Sequence, residues 1–225
     1  MSERLVIDLL RHGACNDAQI YRGRTDSSLS QLGWAQMHAA LAAGQDLRWQ
    51  RVYSSPLQRC RLPAQLLAER LGLPLQLEVR LQEIDFGSWD GQSLEQIWQQ
   101  QSAQVQAFWE DPEAFPPPGG ESIQSLQQRV AVQVQRWLAA CCGAGADTHI
   151  LCVSHGGVIR ALLCQLLKMP VVVGQQLSLD YGSLTRIELY PNAPQEGTQQ
   201  DSAAPAFYSQ VIFINRKPTL SDYGS

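Results

Sequence analysis

The chain is predicted to adopt an α/β fold: three layers, with a mostly parallel sheet covered by helices on both faces. Three observations carry that prediction. Short apolar runs such as Leu5-Val6-Ile7-Asp8-Leu9-Leu10 and Ile150-Leu151-Cys152-Val153 read as buried strands. Between such runs lie longer segments whose apolar residues recur at helical spacing. At 225 residues the chain is long enough to bury a full core. One domain over 1–215 is the simplest organisation, with a helical lid insertion at about 88–120 and a polar tail over 216–225.

Strands are predicted near 4–10, 51–53, 75–79, 149–154, 184–190 and 207–214. A first helix is expected over 30–43, where Ser30 caps and Trp34, Met37 and Leu41 share a face. A second should begin at Ser55-Pro56, with serine at the cap and proline at the first helical position. Ser93-Leu94-Glu95-Gln96 has the form of a capping box opening a third. The clearest stripe is Ile123, Leu126, Val130, Val134, Trp137, Leu138 and Cys141, with glutamines and arginines opposite. Gly156-Gly157 opens a last helix that runs to about Lys168 and is closed by Pro170. Asp111 to Gly120, rich in proline, is read as a rigid extended connector, and Pro191 to Pro205 as an exposed or disordered loop.

Apolar residues make up 44% of the chain, an ordinary share for a globular protein. A net charge of −4 argues against a polyanion-binding surface and so against nucleic acid as a partner. No apolar stretch reaches the length of a membrane span, and the N-terminus leads straight into a strand, so a cytoplasmic protein is expected. The six cysteines form no C-x-x-C pair and several sit in apolar runs, as small hydrophobes do. No zinc-ligand spacing is present, and no metal site is expected.

Two of the four histidines, His12 and His155, each follow a predicted strand directly. Open α/β sheets place their ligand crevices at such strand ends. The glycine after each, Gly13 and Gly156, lets the chain turn away. One imidazole can attack while the other stabilises. His38 and His149 lack that context and are expected to be ordinary surface or core residues.

Ordered blocks surround the pair. They are Leu10-Arg11-His12-Gly13, Gly23-Arg24-Thr25-Asp26, Ser54-Ser55-Pro56-Leu57-Gln58-Arg59, Leu81-Gln82-Glu83 through Gly91, Pro118-Gly119-Gly120-Glu121-Ser122 and Ser154-His155-Gly156-Gly157. In that order they resemble the histidine phosphatase (phosphoglycerate mutase-like) superfamily. The resemblance implies a metal-independent phosphomonoesterase without cofactor, acting on a small phosphorylated metabolite through a phosphohistidine. His12 would be the nucleophile, its pKa depressed by neighbouring cations. Arg11 and Arg59 would grip the phosphate oxygens. His155 would stabilise the charge that builds on them, with Gly156 at the helix start. Glu83, rather than Asp85 or Asp90, would protonate the leaving oxygen and then activate water. Arg22 and Gly23 would contact substrate, and Arg61 would be a solvated bystander. Cys15 stands where the family often has Thr or Ser, and Ala18 where mutases carry Asn; Asn16 is not in that position.

Between Ser88 and Pro118 there is no Lys or Arg, but there are Trp89, Trp98, Phe108, Trp109 and Phe115. A substrate with a second anionic end would be repelled by such a lid, which disfavours a phosphoglycerate mutase. An apolar or heterocyclic leaving group would stack there. The Gly-Arg-Thr-Asp block, the short lid and Asp180-Tyr181-Gly182-Ser183-Leu184-Thr185 are similar to α-ribazole phosphatases, which implies α-ribazole 5′-phosphate or another small phosphomonoester. A non-catalytic phospho-ligand binder is the alternative of a different class. The sequence leaves monomer and homodimer equally open.

Overall fold

The fold is that of a computed structural model, which describes residues 4–17, 19–43, 48–141, 146–191 and 207–217. Its strands are β1 (Leu5–Arg11), β2 (Arg51–Ser54), β3 (Leu75–Leu77), β4 (Thr148–Ser154), β5 (Leu184–Pro191) and β6 (Phe207–Arg216). Its helices are α1 (Gln31–Ala43), α2 (Gln58–Leu71), α3 (Leu94–Glu110), α4 (Ile123–Cys141), α5 (Gly156–Leu166) and α6 (Val171–Gly174). The strands form one sheet in the order β3-β2-β4-β1-β5-β6. The first four of these pair in parallel; β5 runs antiparallel to β1, and β6 antiparallel to β5.

Side-chain alternation along β1 builds the three layers. Leu5, Ile7 and Leu9 join a core with Leu126, Val130, Val134, Trp137 and Leu138 of α4 and with Val158, Ile159 and Leu162 of α5. Leu10 points the other way, into a core with Met37 and Leu41 of α1 and Cys60, Ala64 and Leu67 of α2. The predicted α4 stripe therefore faces the sheet through Leu138, while the Cys141 side chain lies outside the described residues. Cys15, Cys60, Cys152 and Cys164 are free and buried, and the first three join these cores. A third cluster, built from Tyr21, Trp89, Ile97, Val105 and Phe108, fastens the lid to the body.

Several boundaries differ from expectation for local reasons. Helix α2 starts at Gln58 because Leu57, its cap, is extended (φ −65°, ψ 136°) and offers no side-chain bond. The cap arrives from elsewhere: Gln58 N donates to Asp26 Oδ1 at 2.7 Å. Ser30 and Ser93 do cap, accepting from Gly33 N at 3.0 Å and Gln96 N at 3.5 Å. Strand β3 stops at Leu77 because Val79–Leu81 winds into a 3-10 turn. The 111–120 segment is turned rather than extended, with Phe115 N bonding Asp111 O at 3.0 Å and Gly120 N bonding Pro117 O at 2.9 Å. Helix α5 ends at Leu166, and Lys168 adopts a positive φ of 50° just before the unpredicted α6. The first residue of the expected tail, Arg216, belongs to β6. The remainder of the tail beyond Lys217, and 192–206 of the expected loop, lie outside the described residues.

Candidate active site

Parallel pairing of the two central strands brings the histidines together. Arg11 of β1 is in register with Ser154 of β4, and His12 N donates to Ser154 O at 3.0 Å. Each histidine is the residue just past its strand, so the ladder delivers both rings to one edge of the sheet, with centroids 5.2 Å apart. Gly13 is needed there for space rather than for an unusual backbone angle. A Cβ on it would lie 2.2 Å from the carbonyl oxygen of Gly33, at the start of α1.

His12 is 4% exposed, and its Nδ1 lies 2.7 Å from Gly13 O. A carbonyl only accepts, so Nδ1 carries the proton and Nε2 keeps its lone pair. Burial, then the charges of Arg59 and Arg11, hold its pKa well below the usual range. His155 is fully buried and likewise depressed, first by burial and then by Arg59. Arg59 Nε donates to its Nδ1 at 3.3 Å, which leaves Nε2 protonated and 2.8 Å from Ser55 Oγ. Both ring nitrogens of His155 thus face protein groups in this structure.

Arg59 is a buried guanidinium held by backbone carbonyls: Nη1 donates to Thr25 O at 2.8 Å and Nη2 to Gly23 O at 2.7 Å. Those carbonyls belong to a loop pinned from the lid. Asp90 accepts from Gly23 N (3.2 Å), Arg24 N, Thr25 N (3.1 Å) and Thr25 Oγ1 (2.7 Å). Gly23 therefore serves through its backbone. Arg11 donates to Leu179 O and lies over the Tyr181 ring, 4.0 Å from its centroid. Arg22 reaches Ser27 Oγ at 3.3 Å and the Tyr181 hydroxyl at 3.5 Å. Arg11 Nε and Arg22 Nη2 are buried donors without a partner among the described residues.

Glu83 sits across from this group, its carboxylate fixed by two amides. Ile84 N donates to Oε1 at 3.0 Å and Gly157 N to Oε2 at 3.1 Å. A Cβ at 157 would fall 2.3 Å from Glu83 Oε1, so any side chain there would displace the carboxylate from this position. Its two acidic neighbours serve elsewhere: Asp85 Oδ1 accepts from Gly87 N at 2.8 Å, and Asp90 holds the 23–25 loop. Glu83, Arg11, Gly156 and Gly157 line a cavity of about 210 Å3 together with Phe86, Phe108, Trp109 and Arg160. A larger hollow of about 500 Å3 between α4, α5 and β6, lined by residues such as Leu162, Lys168 and Tyr208, lies away from these groups.

The cavity amends one expectation. The lid indeed has no Lys or Arg, yet Arg160, one turn along α5 from Gly156, brings a cation to the same space as Phe108 and Trp109. Burial, then the charge of Arg11, lower the Arg160 pKa. Of the lid aromatics, Trp89 and Phe108 are buried fasteners, whereas Trp109 is half exposed at the cavity. Ser55 was read from sequence only as a helix cap, and Tyr181 and Arg160 were given no role. Ser55 and Tyr181 lay inside quoted blocks, whereas Arg160 had only its helical spacing from Gly156 as a signal. Outside the site, Arg61 bonds Gln65 Oε1 at 3.1 Å within α2, His38 is exposed, and His149 Nε2 lies 2.8 Å from Asp8. Ala18 lies outside the described residues. Among the described residues no group of three or more His, Cys, Asp or Glu is placed to hold a metal ion, and no helix is long and apolar enough to cross a membrane.

The family model of the histidine phosphatase superfamily (branch 1) matches residues 7–201 of the chain. The chain belongs to that superfamily. This histidine phosphatase is 33% identical over 176 residues to the glucosyl-3-phosphoglycerate phosphatase of Mycobacterium tuberculosis (strain H37Rv), a match covering 76% of this chain and 78% of that one. The solved native structure of a mycobacterial glucosyl-3-phosphoglycerate phosphatase superposes with a TM-score of 0.78 at 30% identity, over 96% of this chain and 100% of the other. The α-ribazole phosphatase of Shigella flexneri superposes with a TM-score of 0.74 over 94% of this chain and 96% of that one; at 24% identity this shows the shared fold alone. The chain spans half the length of another curated relative, the bifunctional protein Rv2228c of M. tuberculosis (strain H37Rv), with 34% identity over 187 residues and 81% of this chain. The protein is a phosphatase of the histidine phosphatase superfamily.

Proposed function

We propose that this phosphatase hydrolyses small phosphomonoesters, without a metal, through a phosphohistidine on His12. One observation carries the reading: a buried imidazole, with its proton held on Nδ1 by Gly13 O, keeps the Nε2 lone pair free beside the His155 ring, its pKa lowered by burial and by the charges of Arg59, Arg11 and Arg22. Nε2 attacks phosphorus and forms the N–P bond as the ester P–O bond breaks. Glu83 gives a proton to the departing alcohol oxygen. Water then attacks the phosphohistidine, its proton passes to Glu83, the N–P bond breaks, and inorganic phosphate leaves. Arg11 and Arg59 balance the phosphoryl charge throughout. His155, between Ser55 and Arg59, stands beside the His12 ring and stabilises the charge that builds on the phosphoryl oxygens.

The gathering of Arg11, His12, Arg59, Glu83 and His155 at one sheet edge favours catalysis over mere binding of a phospho-ligand. The relatives named as phosphatases, at 33% identity, favour hydrolysis over mutase transfer. Two alcohols come forward as the leaving group. The aromatic cavity favours α-ribazole 5′-phosphate. The relatives at 33% identity, together with Arg160, favour glucosyl-3-phosphoglycerate. Comparing kcat/KM for both esters alongside 3-phosphoglycerate ranks them.

The mechanism is tested by rapid quench with labelled p-nitrophenyl phosphate in the presence of EDTA. The expected result is one acid-labile, base-stable phosphoryl group per chain, absent from His12→Ala, which also loses turnover. Label on serine or cysteine, or activity that EDTA abolishes, would sink the proposal.

A further inference from the structure

Resting on the phosphomonoesterase reading, Arg160 deserves a role that phosphoryl transfer alone does not give it. Its Nε and Nη2 both donate to Leu177 O, at 3.3 and 3.2 Å, which locks the guanidinium in place. Its Nη1 bonds no acceptor among the described residues. The missing side chain of Gly156 leaves open the point that Nη1 faces. A Cβ there would lie 3.4 Å from Arg160 Nη1 and 3.3 Å from Arg11 Nε, the latter a buried donor with no partner. Two guanidinium groups therefore flank one small space, and the one carboxylate on the same cavity wall, Glu83, is held by the amides of Ile84 and Gly157. Two positive charges set against the single carboxylate of Glu83 favour the entry of an anion.

The direction of the cavity says which anion. Glu83, assigned to the ester oxygen, lies on its wall, so the space beyond takes the alcohol rather than the transferred phosphoryl group. The opposite wall is apolar, formed by Phe86, Phe108, Trp109 and Leu126. At about 210 Å3 it exceeds the roughly 150 Å3 that holds a benzene molecule by little more than a substituent. We propose that this cavity seats an alcohol built on a single ring that carries a carboxylate, with Arg160 as the residue that reads the carboxylate.

Benzylphosphonate and its 2-, 3- and 4-carboxy derivatives, which cannot be hydrolysed, test this by calorimetric titration of the whole chain. The best carboxylated isomer should bind at least about ten-fold tighter than benzylphosphonate to the unmodified protein. Arg160→Gln should bring that ratio to about one, and Arg160→Lys should keep part of it. Because the ratio is taken within each protein, a change in the folded fraction cancels. A ratio near one before substitution, or a ratio that survives Arg160→Gln, overturns the assignment. Equal weakening of all probes by Arg160→Gln also overturns it, by placing Arg160 on the phosphoryl group. Turnover of phenyl phosphate, measured in parallel, judges the phosphomonoesterase reading separately, since phosphonate binding requires no catalysis.

Discussion

Burial and the surrounding guanidinium groups hold His12 and His155 neutral, a constraint the unfolded chain does not share. An unfolded histidine titrates near pH 6.5, by reference values. Both folded pKa values lie below that, so between them the unfolded state binds more protons. The stabilising difference is complete above about pH 6.5 and is lost as pH falls, by about 1.4 kcal/mol per pH unit for each histidine. Urea midpoints should therefore drop between pH 7.5 and 5.5, and His12→Asn should flatten the slope; equal midpoints in the unmodified protein would refute the buried-neutral pair. At this scale sequence exposed what is local in the chain. His12, His155 and Glu83 each sit in a recognisable block beside a strand end or turn. The partners of those residues were hidden because they are set by distance in space. Ser55 looked like a helix cap, yet its hydroxyl lies 2.8 Å from His155 Nε2, one hundred residues away.

The elements around the site act as clamps on backbone. Asp90, from the turn that begins the lid, collects three amides and a hydroxyl of residues 23–25, and the same loop supplies the carbonyls that hold Arg59. Asp90→Ala should cost about 2 kcal/mol of stability through unpaired loop donors, and lower kcat/KM by about ten-fold or more by releasing Arg59. Denaturant unfolding and steady-state kinetics on p-nitrophenyl phosphate check both; an unchanged kcat/KM would detach the loop from catalysis. Helix α1 was legible from a cap and a periodic face together, α3 from its capping box and α4 from its apolar stripe, all of them local signals. The start of α2 was not, because its cap is Asp26, brought in from another loop. The kink of α3 at Gln101 was hidden for the same reason: its amide oxygen accepts from Trp89 Nε1 at 2.8 Å, a bond that only the folded lid defines.

Across the whole molecule, one buried charge ties three strands together. Asp8 of β1 is fully buried and accepts from Arg186 of β5 at 2.7 and 3.0 Å and from Trp49 Nε1 at 2.8 Å, and lies 2.8 Å from His149 of β4. These partners keep its pKa below the usual value against the opposing effect of burial. Arg186→Met should leave an incompletely paired carboxylate and cost about 3 kcal/mol, with kcat of the folded enzyme unchanged. Urea unfolding reads the first and active-site-normalised kinetics the second. An acidic residue inside the first apolar run gave no sequence hint of this knot. The parallel heart of the sheet was readable from buried runs alternating with helices. The reversed direction of β5 and β6 was not, since an apolar run does not encode which way it points.

The pairing of β1 with β4 has a practical corollary for anyone rebuilding this enzyme. Because Arg11 stands opposite Ser154, the distance between the reacting imidazoles is counted out in backbone rungs. One extra codon in either strand would slide its ring by about 3.3 Å and turn it to the other side of the sheet. The lengths of these two strands are thus a fixed dimension of the catalyst.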